Sequence, residues 1–149
     1  MGEQQKREIW TQELEVRFRA CLARREESLA GRARGLAEAL AAGQVTLGEA
    51  RALVRLAHQT WSVSDITDWV KTRVGRDGAL AGWAREGIGR ELVDALESLR
   101  WDADRIAGEL GLQDPEMRRW IHLRLCRETL NRLGAHFEFI VAERGRRKR

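Results

Sequence analysis

A single proline, Pro115, interrupts a chain in which Leu, Ala, Arg and Glu recur without any alternating β-branched run. These residues are strong helix formers, and apolar positions return at spacings of three and four, so the chain is expected to be helical nearly throughout. The expected fold is all-α: a single-domain bundle of about five to six helices with a long C-terminal helix. A hydrophobic content of 43% over 149 residues supports one modest core and leaves no room for a large multidomain enzyme. Residues 1–143 are read as the bundle, with N-terminal helices over 1–43 and a core over 44–143, and 144–149 as a basic tail.

Helix boundaries follow from local signals. Trp10, Leu14, Phe18, Cys21 and Leu22 place one apolar stripe on a first helix spanning about Glu3 to Glu27. A second, about Ser28 to Ala42, carries Leu29, Leu36, Ala39 and Leu40, with Gly43 as its cap, and Gly31 and Gly35 weaken it or break it from the first helix. Thr46 and Glu49 have capping-box spacing, which starts a third helix at Leu47 with Ala50, Leu53, Val54, Ala57 and Trp61 inward and Arg51, Arg55 and His58 along its flank. Ser62 or Ser64 starts a fourth, with Ile66, Trp69, Val70 and Val74 inward. Gly75-Arg76-Asp77-Gly78 is expected to turn. A frayed helix over Ala79 to about Gly87 and a sounder one over Ile88 to Leu110 follow. Asp114-Pro115 opens the last helix, to about Glu143.

That last helix divides its apolar residues. Met117, Trp120, Ile121 and Leu125 point one way, and Leu130, Leu133, Phe137, Ile140 and Val141 to nearly the opposite side. A surface helix keeps one stripe. Either the helix is central and covered on both sides, or its C-terminal half packs on another chain.

The charge is localised. Five of the 27 Lys and Arg residues fall in the last six positions (Arg144, Arg146, Arg147, Lys148, Arg149), so the rest of the chain carries 22 basic against 23 acidic residues. The tail fits a nucleic-acid arm or a solvated end. A nucleic-acid site on the body must come from a patch, and the segment 44–78 offers one: Arg51 and Arg55 one turn apart, Lys71 and Arg73 on the next helix, and Arg76 beyond. Residues 79–113 hold four basic and seven acidic side chains, the poorest face for phosphate. Of six Trp residues, most lie on inward stripes, while Trp83 and Trp101 are candidates for an exposed contact.

Catalytic chemistry is not indicated. The chain has no P-loop, no GxGxxG opening a helix after a strand, no Ser/His/Asp or Cys/His signature and no Tyr. Asp65/Asp68 and Asp102/Asp104 read as charges near helix starts. Cys21 and Cys126 lack a CxxC partner and His58, His122 and His136 lack ligand spacing, so neither metal, cofactor nor disulfide is expected, and both thiols are read as buried and reduced. A non-enzyme is the expectation. With no long apolar run and a polar start from Met1 to Arg7, no membrane is implied and a cytoplasmic location is expected.

Two binding readings come from the residues. Ile106, Ala107, Leu110, Gly111, Leu112, Met117 and Trp120 occupy helix-turn-helix spacings, with Arg118, Arg119 and His122 toward a major groove. Asp102, Asp104, Glu109, Asp114 and Glu116 oppose it where phosphates approach. The other is a helical protein-interaction module whose tail only solubilises it.

A further pattern runs in order along the chain: Thr46-Leu47-Gly48-Glu49-Ala50-Arg51, then Gly75-Arg76-Asp77, then the Leu-rich stretch Glu91 to Leu99, then Leu125-Cys126-Arg127 running to Ala135-His136-Phe137-Glu138-Phe139. From about Gln44 onward this order resembles the small helical subunit of type III, or a related class 1, CRISPR effector complex. The chain departs from it in its extra N-terminal residues, in a longer segment between Leu99 and Met117, and in His136, Phe137 and Phe139 where that family tends to carry Tyr. The resemblance implies a non-catalytic subunit of an antiviral ribonucleoprotein. It would stack in several copies along the crRNA and its target RNA or single-stranded DNA, touching neighbouring copies and the backbone subunits. Arg51 and Arg76 match family positions, and Arg55, Lys71 and Arg73 join them by helical geometry. Binding would be to the sugar-phosphate backbone, because guide pairing carries sequence.

Overall fold

The computed structural model describes residues 8–77 and 82–147. The expected helix start at Glu3, the turn residue Gly78, the start of the next segment at Ala79, and Lys148 and Arg149 lie outside them. The described residues are all-helical and contain no strand: α1 (Gln12–Arg24), α2 (Glu26–Ala42), α3 (Leu47–Gln59), α4 (Val63–Asp77), a short kinked segment Gly82–Gly87, α5 (Ile88–Glu109) and α6 (Pro115–Arg147). No described helix is long and apolar enough to cross a membrane.

Most starts are set by local caps. The Thr11 side chain accepts from Leu14 N at 3.1 Å, so α1 begins at Gln12. Thr46 and Glu49 form the reciprocal capping box that opens α3. Ser62 Oγ accepts from Ser64 N at 3.2 Å at the start of α4. Asp114 Oδ1 accepts from Glu116 N at 2.9 Å ahead of Pro115, whose missing N–H is not needed there. Gly111, at φ 72°, ends α5, with Leu112 N donating to the Ala107 carbonyl at 2.9 Å.

The core is built around α6. Helices α2, α3 and α5 all pack on it, and it buries Ile121, Leu123, Leu125, Cys126, Leu130, Leu133 and Phe137 along its length. The divided stripe is therefore that of a central helix covered on both sides. Ala33, Ala37 and Ala41 of α2 are buried beside Leu36 and Leu40, and their small side chains let α2 lie close to α6. Cys21 and Cys126 are both free and buried, and burial pushes the Cys126 thiol up to about 12, so it stays protonated.

Five local expectations are corrected. Gly31 and Gly35 do not interrupt α2, which breaks from α1 at Arg25 (φ −105°, ψ 3°) instead. Gly75, Arg76 and Asp77 do not turn but continue α4. Trp61, expected inward, follows the end of α3 and is 83% exposed, because the chain leaves helical geometry at Thr60 (φ −87°, ψ 157°). Trp83, expected as an exposed contact, is completely buried. The last helix runs on to Arg147, so Arg144 lies on the bundle, donating to the Ala41 carbonyl at 2.9 Å.

Candidate nucleic-acid interface

The five basic residues singled out in the sequence fall into three surroundings. Arg51 and Arg55 stand one turn apart on the exposed side of α3 and line a groove of about 370 Å³ between α3 and α6. Arg51 Nε lies 2.6 Å from Glu138 Oε1 across that groove. Arg55 is exposed and has no ion-pair partner among the described residues. His58, farther along the same face, places Nε2 at 2.6 Å from Asn131 Oδ1 of α6. This seam is the part of the patch that remains together.

Lys71 lies elsewhere. It lines a separate groove between α4 and α5 with Arg90, Asp94 and Glu97, and its Nζ is 3.8 Å from Glu97. Both partners are exposed, so the pair is weak and easily exchanged for a phosphate.

Arg73 and Arg76 belong to a third cluster centred on Glu49. The Glu49 carboxylate lies 3.9 Å from Arg73 Nε and 3.6 Å from Arg76 Nη2, and it accepts from the buried Trp83 Nε1 at 2.8 Å. The Arg73 guanidinium sits 3.6 Å from the Trp69 ring centroid, and Trp69 meets Trp83 edge-on at 5.4 Å. A guanidinium held between an aromatic face and a carboxylate is a structural cation. Helix α3 therefore serves two ends: Glu49 at its start ties down α4 and the kinked segment, while Arg51 and Arg55 face outward.

A further, larger groove draws Arg100 and Trp101 from the segment 79–113, whose overall charge balance makes it the poorest for phosphate but of whose acidic side chains only Glu97 lines the groove. Trp61, Arg100, Trp101 and Arg119 line this groove, of about 660 Å³, between the start of α4, α5 and the first turns of α6. Trp61 stacks on Trp120 at 6.1 Å, and the Arg100 guanidinium lies 5.0 Å from the Trp101 centroid. Trp101 is 63% exposed, as its place outside the inward stripes foretold. Trp61 carried no such signal, because its exposure depends on where α3 stops. The only sequence signal at Arg119 is the helix-turn-helix spacing, which points it toward a major groove.

The helix-turn-helix segment has the expected helix, glycine turn and second helix. Of the three residues read as facing a major groove, Arg118 and Arg119 are exposed, while the part-buried His122 donates Nε2 to the Leu96 carbonyl at 2.8 Å. The second helix is moreover α6, the centre of the bundle. Among the described residues no group of three or more His, Cys, Asp or Glu is arranged to hold a metal.

No family model, curated protein or solved structure matches the chain.

Proposed function

We propose that the protein is a non-catalytic small subunit of a multisubunit class 1 CRISPR effector complex, binding the backbone of crRNA and of its target without sequence preference. The observation that carries this reading is the order of motifs from Thr46-Glu49-Arg51 through Gly75-Arg76 and Glu91–Leu99 to Leu125–Phe139, borne by one helical bundle. Two features are consistent with it. Arg51 and Arg55 stand exposed along one seam, as a backbone-tracking surface requires. The Arg51 ion pair with Glu138 is solvent-exposed, so a phosphate can replace the carboxylate at little cost. Arg55 and Arg51 are the contacts of this reading, Lys71 a peripheral one, and Arg73 and Arg76 hold the fold through Glu49.

The test is recovery of the tagged protein from its native cells with sequencing of the nucleic acid and identification of the proteins that accompany it. Short repeat-derived RNAs together with larger backbone subunits are the expected result. Recovery alone, or with duplex promoter DNA, overturns it. The second outcome would favour the helix-turn-helix regulator, for which the glycine turn at Gly111 and the exposed Arg118 and Arg119 are the supporting observation.

A further inference from the structure

Two tryptophans stand out of this molecule while the others are buried or partly buried against it. Trp61 is 83% and Trp101 63% exposed, and both line the same groove. Exposing an indole wastes burial that the fold uses elsewhere, at Trp83 above all. Trp61 is held face-on by Trp120, itself flanked by the Arg124 and Arg127 guanidiniums at 5.6 and 5.3 Å from its ring. The outer face of Trp61 is thus presented to solvent, with Trp120 behind it. Arg100 lies over Trp101, and neither Arg100 nor Arg119 has a carboxylate partner among the described residues.

We infer that this groove is a base-stacking site for single-stranded nucleic acid, in which Trp61 and Trp101 take successive bases and Arg100 and Arg119 take the phosphates between or beside them. The inference rests on the nucleic-acid reading above for its class of ligand and adds a site that no residue of the Arg51/Arg55 seam supplies. Indoles accept any base, because every base has a π face, and unpaired guanidiniums beside them neutralise phosphate. A protein-docking hot spot also uses Trp and Arg, but its centre is apolar and depleted of charge. Here the lining beside the rings includes Ser62, Ser64, Thr67 and Ser98, and the one carboxylate in it, Glu97, which opposes a phosphate, lies 3.8 Å from Lys71. A lining of hydroxyls beside the rings suits a solvated sugar-phosphate chain. A duplex, with its bases stacked internally, cannot use the rings.

The experiment measures binding of a fluorescein-labelled twelve-nucleotide oligouridine to the full chain over a salt series. It compares the native protein with Trp61→Ala/Trp101→Ala, with Trp61→Phe/Trp101→Phe, with Arg119→Ala and with Arg51→Ala/Arg55→Ala. Both tryptophans are exposed, and thermal unfolding confirms that each variant is folded. The alanine pair is expected to weaken binding by about tenfold or more, leaving the slope of log affinity against log salt unchanged because no phosphate contact is removed. The phenylalanine pair is expected to restore most of it, and Arg119→Ala to flatten the slope by about one. Unchanged affinity in the alanine pair, with loss in Arg51→Ala/Arg55→Ala, overturns the groove and spares the nucleic-acid reading. A native chain that binds no oligouridine at low salt overturns both.

Discussion

Arg124 of α6 and Glu15 of α1 form a two-pronged ion pair, Nη1 to Oε1 at 2.7 Å and Nη2 to Oε2 at 2.9 Å. Trp10 Nε1 and Arg19 Nε also donate to this carboxylate, at 2.9 and 2.8 Å. The pair fixes α1 to the central helix. The Glu8 carboxylate adds a second tie, accepting from Gln113 N and Asp114 N at 3.2 and 3.3 Å. The N-terminal stripe is thus satisfied within this chain, where Phe18 and Cys21 are buried.

The Arg124 hydrogen bonds, supported by those from Trp10 and Arg19, hold the Glu15 carboxyl well below the usual carboxylate range against the opposing effect of burial. A depressed carboxylate stabilises the fold fully above its unfolded pKa, about 4.3, and that stabilisation is lost as pH falls toward the folded value. Urea unfolding of Glu15→Gln is expected to show a loss of about 2 kcal/mol at pH 7, less than for a fully buried pair. Between about pH 5 and pH 3 the native chain should lose stability more steeply than the variant. Parallel pH profiles would show that Glu15 is not the linked group.

Glu49 gives a second prediction, since it joins a helix cap to a buried indole. Glu49→Ala removes the carboxylate that accepts from Trp83 Nε1 at 2.8 Å, together with half of the capping box. A cost of about 2 to 3 kcal/mol is expected, against about 1 kcal/mol for Thr46→Ala, which loses the cap alone. Chemical denaturation of both variants checks the difference. Equal costs would mean that the indole finds another acceptor.

The glycines divide by what surrounds them. A Cβ on Gly89 would lie 2.4 Å from Val74 Cγ2 and 2.6 Å from the Trp83 carbonyl oxygen, which is backbone and cannot step aside. Gly31 and Gly35 have no atom within 4 Å of such a Cβ. Gly89→Ala is expected to cost about 1 to 3 kcal/mol by overpacking. Gly31→Ala and Gly35→Ala should each add about 0.5 to 1 kcal/mol, because alanine loses less backbone entropy in a helix. Thermal unfolding of the three variants reads both signs.

These same residues separate what was legible in the sequence from what was not. The Thr46-Glu49 box and the Asp114-Pro115 start are local, three residues or fewer apart, and both stand where the spacing put them. The central role of α6 was half legible: two opposed stripes required cover on both sides, but not whose. The turn expected at Gly75 to Asp77 failed because the helix penalty of one glycine is small and tertiary contacts outweigh it, and here Arg76 reaches back to Glu49. The basic patch failed as a unit for a related reason. Arg51 meets Glu138 across 87 positions of sequence, and Lys71 faces α5 rather than α3. No pattern along the chain reports which carboxylate a cation will find.

That distant pairing yields the last prediction. Arg51 must release Glu138 to hold a phosphate, so the ion pair at 2.6 Å competes with the ligand. An exposed pair is worth about 0.2 to 1 kcal/mol, so freeing Arg51 can raise affinity by only a few-fold. Glu138→Gln is expected to strengthen oligouridine binding by about twofold to fivefold at low salt, and also to steepen its salt dependence, because one more cation becomes available to release counterions. The gain should vanish when Glu138→Gln is combined with Arg51→Ala, since the carboxylate then restrains nothing. A gain that persists in the double variant would assign it to lost repulsion from Glu138 itself. Binding unchanged in Glu138→Gln would leave Arg51 as a strut between α3 and α6 and make Arg55 the only contact on that seam.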